Sequence, residues 1–454
     1  MTADRQRRPN PRFPFDPSRL PFFYGWVVAV VGTVSMMATI PSTPPGFAPF
    51  VDPVMEELRV SRASLTFAFT VGTIGAGLLI PFAGFWIDRA GVRITSVVSF
   101  LCLGLTMAVL SEPLFYVRIL QGFGFSERHG TAIFLFLIFF SLRFWGLGMV
   151  MTICRAMIFR WFVRWRSLIA GLNGMVLSVC FSSAPVLLEG LVVVFGWKNT
   201  WWILAGIVGF GFTVVGILLF RDSPESCGIA VRRDPLDSAE ENVEDTGPDP
   251  IARRDYTAWE AAKTLPFWLM IGGLGMNAFI GTGTAFHVVS VGAVLGGLDR
   301  PDALKILLYV GAFNVSTSLI LGFVADKIRL RYLLFSMMAC QSASLWGLLN
   351  FETGLGFWAF AMGSGCAWGT FGILINVPWP RFFGRKHLGA INGIVTGVVV
   401  VFSAIGPYAF GLSYEMTGSY RMTVLGCLCL TPVLALLGLL ARNPRRLSSS
   451  NHSR

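Results

Sequence analysis

The sequence predicts an all-α membrane protein with twelve transmembrane helices in two pseudo-symmetric six-helix bundles, and three observations lead to this prediction. Hydrophobic residues make up 54% of the 454 residues and charged residues only 13%, well below the charged fraction of a soluble domain. Apolar runs of about 20 residues, long enough to cross the hydrocarbon core as a helix, recur along nearly the whole chain. The alternating segments of about ten residues that mark a membrane β-barrel are missing.

The apolar runs also set the domain organisation. The longest hydrophilic stretch, 221–264, mixes both charges with Pro and Gly, so we expect a flexible cytoplasmic linker between the halves 23–220 and 265–441. Residues 1–22 and 442–454 are the predicted tails, and the run after Tyr24 is a retained first helix because no cleavage site follows it. The predicted spans are 23–45, 63–87, 94–110, 131–154, 168–194, 201–220, 265–290, 303–325, 331–350, 356–377, 388–412 and 421–441.

The distribution of charge predicts the orientation. Of the 36 Lys and Arg residues, 27 fall in segments on the side of the N-terminus, 8 in the opposite loops and Arg143 within a span. The positive-inside rule therefore predicts that both termini are cytoplasmic, in a multi-pass protein of the plasma or inner membrane. The net charge of +11 lies in short loops rather than on one face of a soluble fold, which argues against nucleic-acid binding. The eight cysteines show no metal-binding spacing, so we expect no metal and no cofactor.

Two loops share the pattern G-x-x-x-D-[RK]-x-x-x-R, 238 residues apart, at corresponding places in the two halves. A glycine lets a helix end approach its neighbour closely, and an aspartate at a helix boundary can pair with arginine or favour a helix N-terminus. The candidate residues are Gly84, Asp88, Arg89, Gly91 and Arg93 in the first copy, and Gly322, Asp326, Lys327 and Arg331 in the second.

This repeat resembles the loop motif of the major facilitator superfamily, with only the central glycine missing from the second copy. The resemblance implies the major facilitator fold. It also implies that the motif latches the two halves on the cytoplasmic side in the outward-open state and releases as they rock. The alternative is that the basic residues merely anchor the topology, although anchoring would require neither the glycine nor the aspartate.

A second repeat reveals an asymmetry between the halves. The segments 160–174 and 381–393 resemble each other at a spacing of 221, so the first half holds 17 extra residues between the two landmarks. We place them in the outside loop 111–130, whose counterpart around 351–355 is very short. We expect a short interfacial helix there, and substrate recognition is the alternative.

Four further segments stand out at span starts and within spans: Tyr24-Gly25-Trp26, Arg143-Phe-Trp-Gly146-Leu-Gly148, Pro266-Phe-Trp268 and Gly406-Pro407. Together they resemble the branch of oxalate/formate antiporters and monocarboxylate transporters. Span 8 and span 11 nevertheless lack the charged residues of that branch, which argues against oxalate as the substrate.

Arg143 is the one charge near a predicted bilayer midplane, twelve residues into span 4. An arginine at that depth costs ~2.5–3.5 kcal/mol on insertion scales unless it faces a polar interior. It is therefore expected to point inward. It can act as an anion contact or coupling residue, or it can pack by bonding to the carbonyls of a neighbouring helix.

Other polar residues within or near spans are candidates for substrate or coupling contacts, each with a structural alternative. Glu189 is the acid well inside span 5, either a proton-coupling group or an outer-vestibule acid. His287 near the outer end of span 7 can titrate near neutrality or be an ordinary interfacial histidine. Pro185 and Pro407 break corresponding spans and mark a bend or the cavity. The remaining cavity candidates are Asn314, Trp368 and Asn376.

Together these features predict a secondary active transporter of a small organic solute, with carboxylates among the candidates, working as a monomer by alternating access. Its partners are the solute, a coupling proton or exchanged anion, and the lipid bilayer. There is no GxxxxGK[ST] motif for ATP hydrolysis, and the four histidines do not cluster as in an enzyme. The alternatives are efflux of lipophilic compounds and a membrane sensor or scaffold that does not transport.

Overall fold

A computed structural model describes residues 14–162, 166–228, 255–324, 327–384 and 387–441. Over these ranges the regular structure consists of helices, without a β-strand. Eleven of the helices so described are long and apolar enough to cross a membrane, and the shorter apolar helix Gly25–Met37 accounts for the remaining predicted span. The predicted all-helical, twelve-span fold class is therefore confirmed.

Residues 1–243 form the first of two compact units. Helix α6 runs through a π-helical segment, Leu142–Val150, into α7, and α9 runs through another, Gly206–Phe212, into α10. The α-helices of this unit are α1 (Gly25–Met37), α2 (Pro44–Phe47), α3 (Val51–Leu58), α4 (Arg62–Ser111), α5 (Pro113–Gly122), α6 (Glu127–Ser141), α7 (Met151–Trp161), α8 (Arg166–Phe195), α9 (Trp197–Ala205) and α10 (Thr213–Leu219). Short 3-10 turns occupy Pro17–Arg19, Ile40–Ser42, Ala48–Phe50 and Glu225–Cys227.

The first span is shorter than predicted, because the sequence after Met37 cannot continue a helix. Prolines at 41, 44 and 45 remove backbone donors and clash with the preceding turn. Thr43 then starts α2 by accepting a hydrogen bond from the Gly46 N–H at 3.2 Å. The chain up to Leu58 consequently folds into short helices instead of extending the span.

Predicted spans 2 and 3 lie in the single long helix α4. Gly91 interrupts it with φ 82° and ψ 163°, a backbone conformation that favours glycine. The apolar segments on either side of the interruption are Arg62–Ile80 and Arg89–Ser111. The loop motif of the first half therefore sits at a sharp break between two helical segments.

Residues 244–454 form the second unit. Inside the predicted linker, Thr257 and Glu260 build a capping box that starts a short helix. The α-helices are α11 (Ala258–Ala262), α12 (Leu265–Phe286), α13 (Val288–Gly296), α14 (Arg300–Val324), α15 (Leu330–Leu349), α16 (Gly354–Leu374), α17 (Pro378–Phe383), α18 (Leu388–Thr417) and α19 (Arg421–Gly438).

The spans that contain Pro185 and Pro407 are built alike. Helices α8 and α18 each contain 30 residues, and Pro185 and Pro407 each lie 19 positions after the first residue of their helix. A proline inside a helix leaves the carbonyl four residues earlier without its usual partner. A proline thus interrupts the helical hydrogen bonding at the same position of the helix in each unit.

Candidate functional site

A residue outside the first loop motif, Asp222, holds the motif in place. Asp222, just after α10, accepts a hydrogen bond from the backbone N–H of Val92 at 2.5 Å. A carboxylate at this position caps the helical segment that begins after Gly91 and interacts favourably with its dipole. A Cβ added at Gly91 would lie 3.0 Å from Asp222 Oδ1, so both the φ angle and the space favour glycine there.

Arg93 of the motif is buried beside the same carboxylate. Its Nε donates a hydrogen bond to the carbonyl oxygen of Phe220 at 3.2 Å, and Asp222 stabilises its charge. Arg89 is exposed. For Gly84 and Asp88, the structure describes the backbone, which is helical. Among the motif residues, Gly91 and Arg93 are therefore brought together with the end of α10.

Arg221 completes this cluster and was not anticipated from the sequence. It is 1% exposed, and its Nη1 donates to the carbonyls of Leu218 at 2.9 Å and Phe220 at 2.8 Å, which caps the C-terminal end of α10. Burial lowers the pKa of the Arg221 guanidinium, and the neighbouring Arg93 adds to this effect. The signal available in the sequence was a pair of opposite charges, Arg221 and Asp222, at the first positions after span 6.

The second loop motif has a different local structure. The position that corresponds to Gly91 is Arg329, which has an ordinary extended conformation at φ −65° and ψ 134° before α15. Arg331 stacks on the Tyr332 ring at 4.7 Å, and Gly322 and Lys327 are exposed. Asp326 lies outside the described residues. The second motif lacks the central glycine, and its backbone accordingly has a negative φ angle at this position.

Arg143 lies in the π-helical segment Leu142–Val150, packed inside the first unit. π-Helical turns are rare and often occur at functional sites. Its side chain is 6% exposed, and its Cζ stacks over the Phe69 ring at 4.4 Å. Within the described part of the chain, Nε and Nη2 of this guanidinium are buried and have no hydrogen-bond partner. A buried cation in a low-dielectric interior strongly favours a paired anion.

Two buried hydroxyl groups on neighbouring segments also lack a hydrogen-bond partner among the residues described. Thr73 follows Phe69 by one helical turn on α4, and its Oγ1 is buried without a hydrogen-bond partner among the residues described. The same holds for Ser42 Oγ, which touches Gly146 within the π-helical segment. Arg143, Thr73 and Ser42 are thus three buried polar residues on segments that contact one another, span 4, span 2 and the end of span 1. We call these three residues together the Arg143 site.

Glu189 does not join this site through any contact of Arg143 that the structure describes. It is half-buried on α8, one turn after Pro185. The role of Glu189 stays a prediction.

His287 lies at the end of α12, is 1% exposed, and contacts α18. Its Nε2 donates to the carbonyl oxygen of Pro407 at 2.8 Å; because a carbonyl only accepts, Nε2 carries the proton. Thr282, on the same helix, lies 2.7 Å from the carbonyl of Ser403, the group that Pro407 leaves without a helical partner. His287 therefore satisfies a carbonyl at the proline break, and the Thr282 hydroxyl shares its one proton between the carbonyls of Ser403 and Ala278, both at 2.7 Å.

We expect His287→Gln to keep the hydrogen bond to the carbonyl of Pro407. Its amide can donate to Pro407, whereas His287→Leu leaves that carbonyl without the bond, at a cost of ~1–3 kcal/mol. In detergent, the melting temperature should fall for the leucine variant and stay near wild type for glutamine. If His287 has only this structural role, uptake by the glutamine variant should depend on an imposed pH gradient in the same way as uptake by the wild type. A fully folded His287→Gln protein that has lost this response would show that His287 couples protons.

Gly406 sets how closely α18 approaches α12. A Cβ at this position would press on the carbonyl oxygen of Phe279 and lie 3.1 Å from Thr282 Oγ1. Gly406→Ala must therefore separate the two helices and weaken the bonds around Pro407, at a cost of ~1–3 kcal/mol or more. The melting temperature should fall clearly. Gly397→Ala, in the same helix, has open space around the added methyl, so equal melting temperatures for the two variants would contradict this reading.

The other candidates of the second unit lie on α14, on α16 and just after α16. Asn314 accepts a hydrogen bond from Ser318 at 3.3 Å, and Asn376, in the turn just after α16, donates to Gly372 of that helix at 3.0 Å. The Trp368 ring packs on Gly281 of α12. Sequence reasoning missed Asn277, one turn before Gly281, which is fully buried with both amide atoms lacking partners in the part of the chain described. A single amide in an apolar, glycine-rich run gave little signal.

The chain is similar to known transporters. The family profile described as the Major Facilitator Superfamily matches residues 25–407. A crystal structure of a bacterial homolog to the human lysosomal transporter Spinster, inward-facing and unoccupied, has a TM-score of 0.66 at 13% identity over 92% of this chain and 97% of that chain. The inward-facing, occupied structure has a TM-score of 0.69 at 12% identity over 93% and 97%. No curated protein sequence matches this chain.

Proposed function

The chain belongs to the Major Facilitator Superfamily, and we propose that it is a secondary transporter that moves a small organic anion, with carboxylates as the favoured class, by alternating access. The observation that carries this proposal is the guanidinium of Arg143, buried in the first unit with Nε and Nη2 lacking partners among the described residues. Nε and one Nη form the planar fork that binds a carboxylate through two parallel hydrogen bonds.

The surroundings of Arg143 support a carboxylate rather than a larger polyanion. The nearby hydroxyls of Thr73 and Ser42 are neutral groups that can donate to a second oxygen. The Phe69 ring covers one face of the guanidinium, so a ligand approaches along its edge. One charge, two hydroxyls and an aromatic wall fit a small anion with an apolar body.

Efflux of lipophilic compounds is the second candidate, and one cavity favours it. A cavity of about 330 Å³ in the second unit is lined by apolar side chains and one threonine, without a charged residue. It can take an uncharged apolar molecule. The lining residues are Met276, Phe279, Phe402, Thr423, Gly426, Cys427 and Leu430.

Uptake into proteoliposomes distinguishes these functions. Purified protein should take up labelled small monocarboxylates with saturation, and protein-free vesicles should not. An imposed pH gradient tests proton coupling, and preloading with unlabelled substrate tests exchange. Transport of lipophilic dyes with no carboxylate uptake would support efflux, and movement of neither class would support a sensor or scaffold.

We further propose that the protein acts as a monomer of the cell membrane with both termini in the cytoplasm. The excess of Lys and Arg on the side of the termini supports this orientation. The two loop motifs would then lie on the cytoplasmic side, where they control the conformational change. Reporter fusions to either terminus, active only in the cytoplasm, test the orientation.

A further inference from the structure

The extra outer segment of the first half forms a helix with an exposed apolar face. Helix α5 begins at Pro113, two residues after α4 ends at Ser111. Phe115, Ile119 and Phe123 follow one another at helical spacing and are 59%, 42% and 77% exposed. Three large apolar side chains in a row on a loop helix would be unfavourable in water.

The opposite face of α5 is attached to the protein. Val117 is buried, and its carbonyl oxygen and side chain lie next to Gly130 near the start of α6. The Tyr116 ring stacks on Phe134 of α6 with centroids 6.4 Å apart. These contacts fix which way α5 faces, so the apolar row is held outward by the fold.

The spans that flank α5 also expose apolar side chains that lipid must cover. Leu105 on α4 and Leu137 on α6, in the spans that flank α5, are both strongly exposed. Because α5 starts where one span ends and α6 begins the next, it lies at the depth of the lipid headgroups. Arg118 is exposed beside the apolar row and Arg128 at the start of α6, where guanidinium groups can meet phosphates.

We propose that α5 is an interfacial anchor that binds the phospholipid leaflet at this end of the protein. Phe115, Ile119 and Phe123 enter the boundary between headgroups and acyl chains, and Arg118 contacts lipid phosphate. The anchor fixes the position of the first unit in the membrane. It does not depend on which solute is transported.

Photocrosslinking tests the proposal on the full chain in vesicles of phosphatidylcholine and phosphatidylglycerol. With p-benzoylphenylalanine in place of Phe123, illumination should yield protein carrying the mass of one phospholipid. The same group in place of the exposed Glu225, on the opposite side of the membrane, should give several-fold less. Equal adducts at both positions, or no lipid adduct at Phe123, would overturn the proposal, and a covalent dimer would identify a second copy as the occupant instead.

A charge variant tests the role of Arg118. Arg118→Glu should reduce the lipid adduct at Phe123 in vesicles that contain phosphatidylglycerol and change it less in phosphatidylcholine alone. Because Arg118 is exposed, this variant should fold normally. An adduct yield independent of Arg118 in both lipids would overturn the phosphate contact.

Discussion

Arg143→Gln is expected to lower kcat/KM for carboxylate uptake by at least ~100-fold, while the protein keeps or gains thermal stability. Charge-assisted hydrogen bonds contribute ~1.5–3 kcal/mol each, and glutamine cannot form the two-pronged contact. Removing a buried charge that has no hydrogen-bonded counter-ion among the described residues should at the same time relieve a desolvation cost. Initial uptake rates in proteoliposomes and melting temperatures in detergent measure the two effects.

A lower melting temperature with near-normal uptake would identify Arg143 as a structural residue. If Arg143 served only to pack on Phe69, its removal would lower the melting temperature and leave the uptake rate per folded protein near wild type. Arg143→Lys keeps the charge but loses the planar fork, so it should transport at an intermediate rate. Arg421→Gln removes an exposed positive charge and controls for the change in net charge.

The sequence was sufficient to predict helix number and class, because a span needs about 20 apolar residues whatever its neighbours are. It also identified Arg143, because a charge is conspicuous in an apolar run. The π-helical form of Leu142–Val150 could not be predicted, since hydropathy does not distinguish hydrogen-bond spacing within a helix. The end of α1 at Met37 could have been predicted from the prolines that follow it.

Most of the features that the sequence did not predict are contacts between segments far apart in the chain. Asp222 reaches Val92 across 130 residues, and His287 reaches Pro407 across 120. Sequence patterns show that Gly91 and Pro407 need an unusual environment but not which side chains provide it. The Arg143 site likewise combines three spans, so its hydroxyls at 42 and 73 were indistinguishable from ordinary helix residues.

Asp222→Ala is expected to destabilise the first unit by about 2 kcal/mol or more and to reduce transport with it. The substitution removes the acceptor of the Val92 N–H at 2.5 Å, and loss of a helix cap costs ~0.5–2 kcal/mol. It also leaves Arg93 buried without its neighbouring carboxylate, which is a costly arrangement. Melting temperature and the fraction of monodisperse protein after purification measure the loss.

Comparison with two further variants separates these contributions. Asp222→Asn can still accept the Val92 hydrogen bond but has lost its charge, so its melting temperature should fall between wild type and Asp222→Ala. Gly91→Ala keeps the carboxylate but forces a Cβ into a positive-φ, extended backbone conformation that is essentially restricted to glycine, at ~1–3 kcal/mol, and against Asp222 Oδ1 at 3.0 Å. Glu225→Ala, an exposed acid in the same loop, should change nothing. Equal melting temperatures for Asp222→Ala and Glu225→Ala would contradict the capping role, because both remove one negative charge and only Asp222 caps the helix after Gly91.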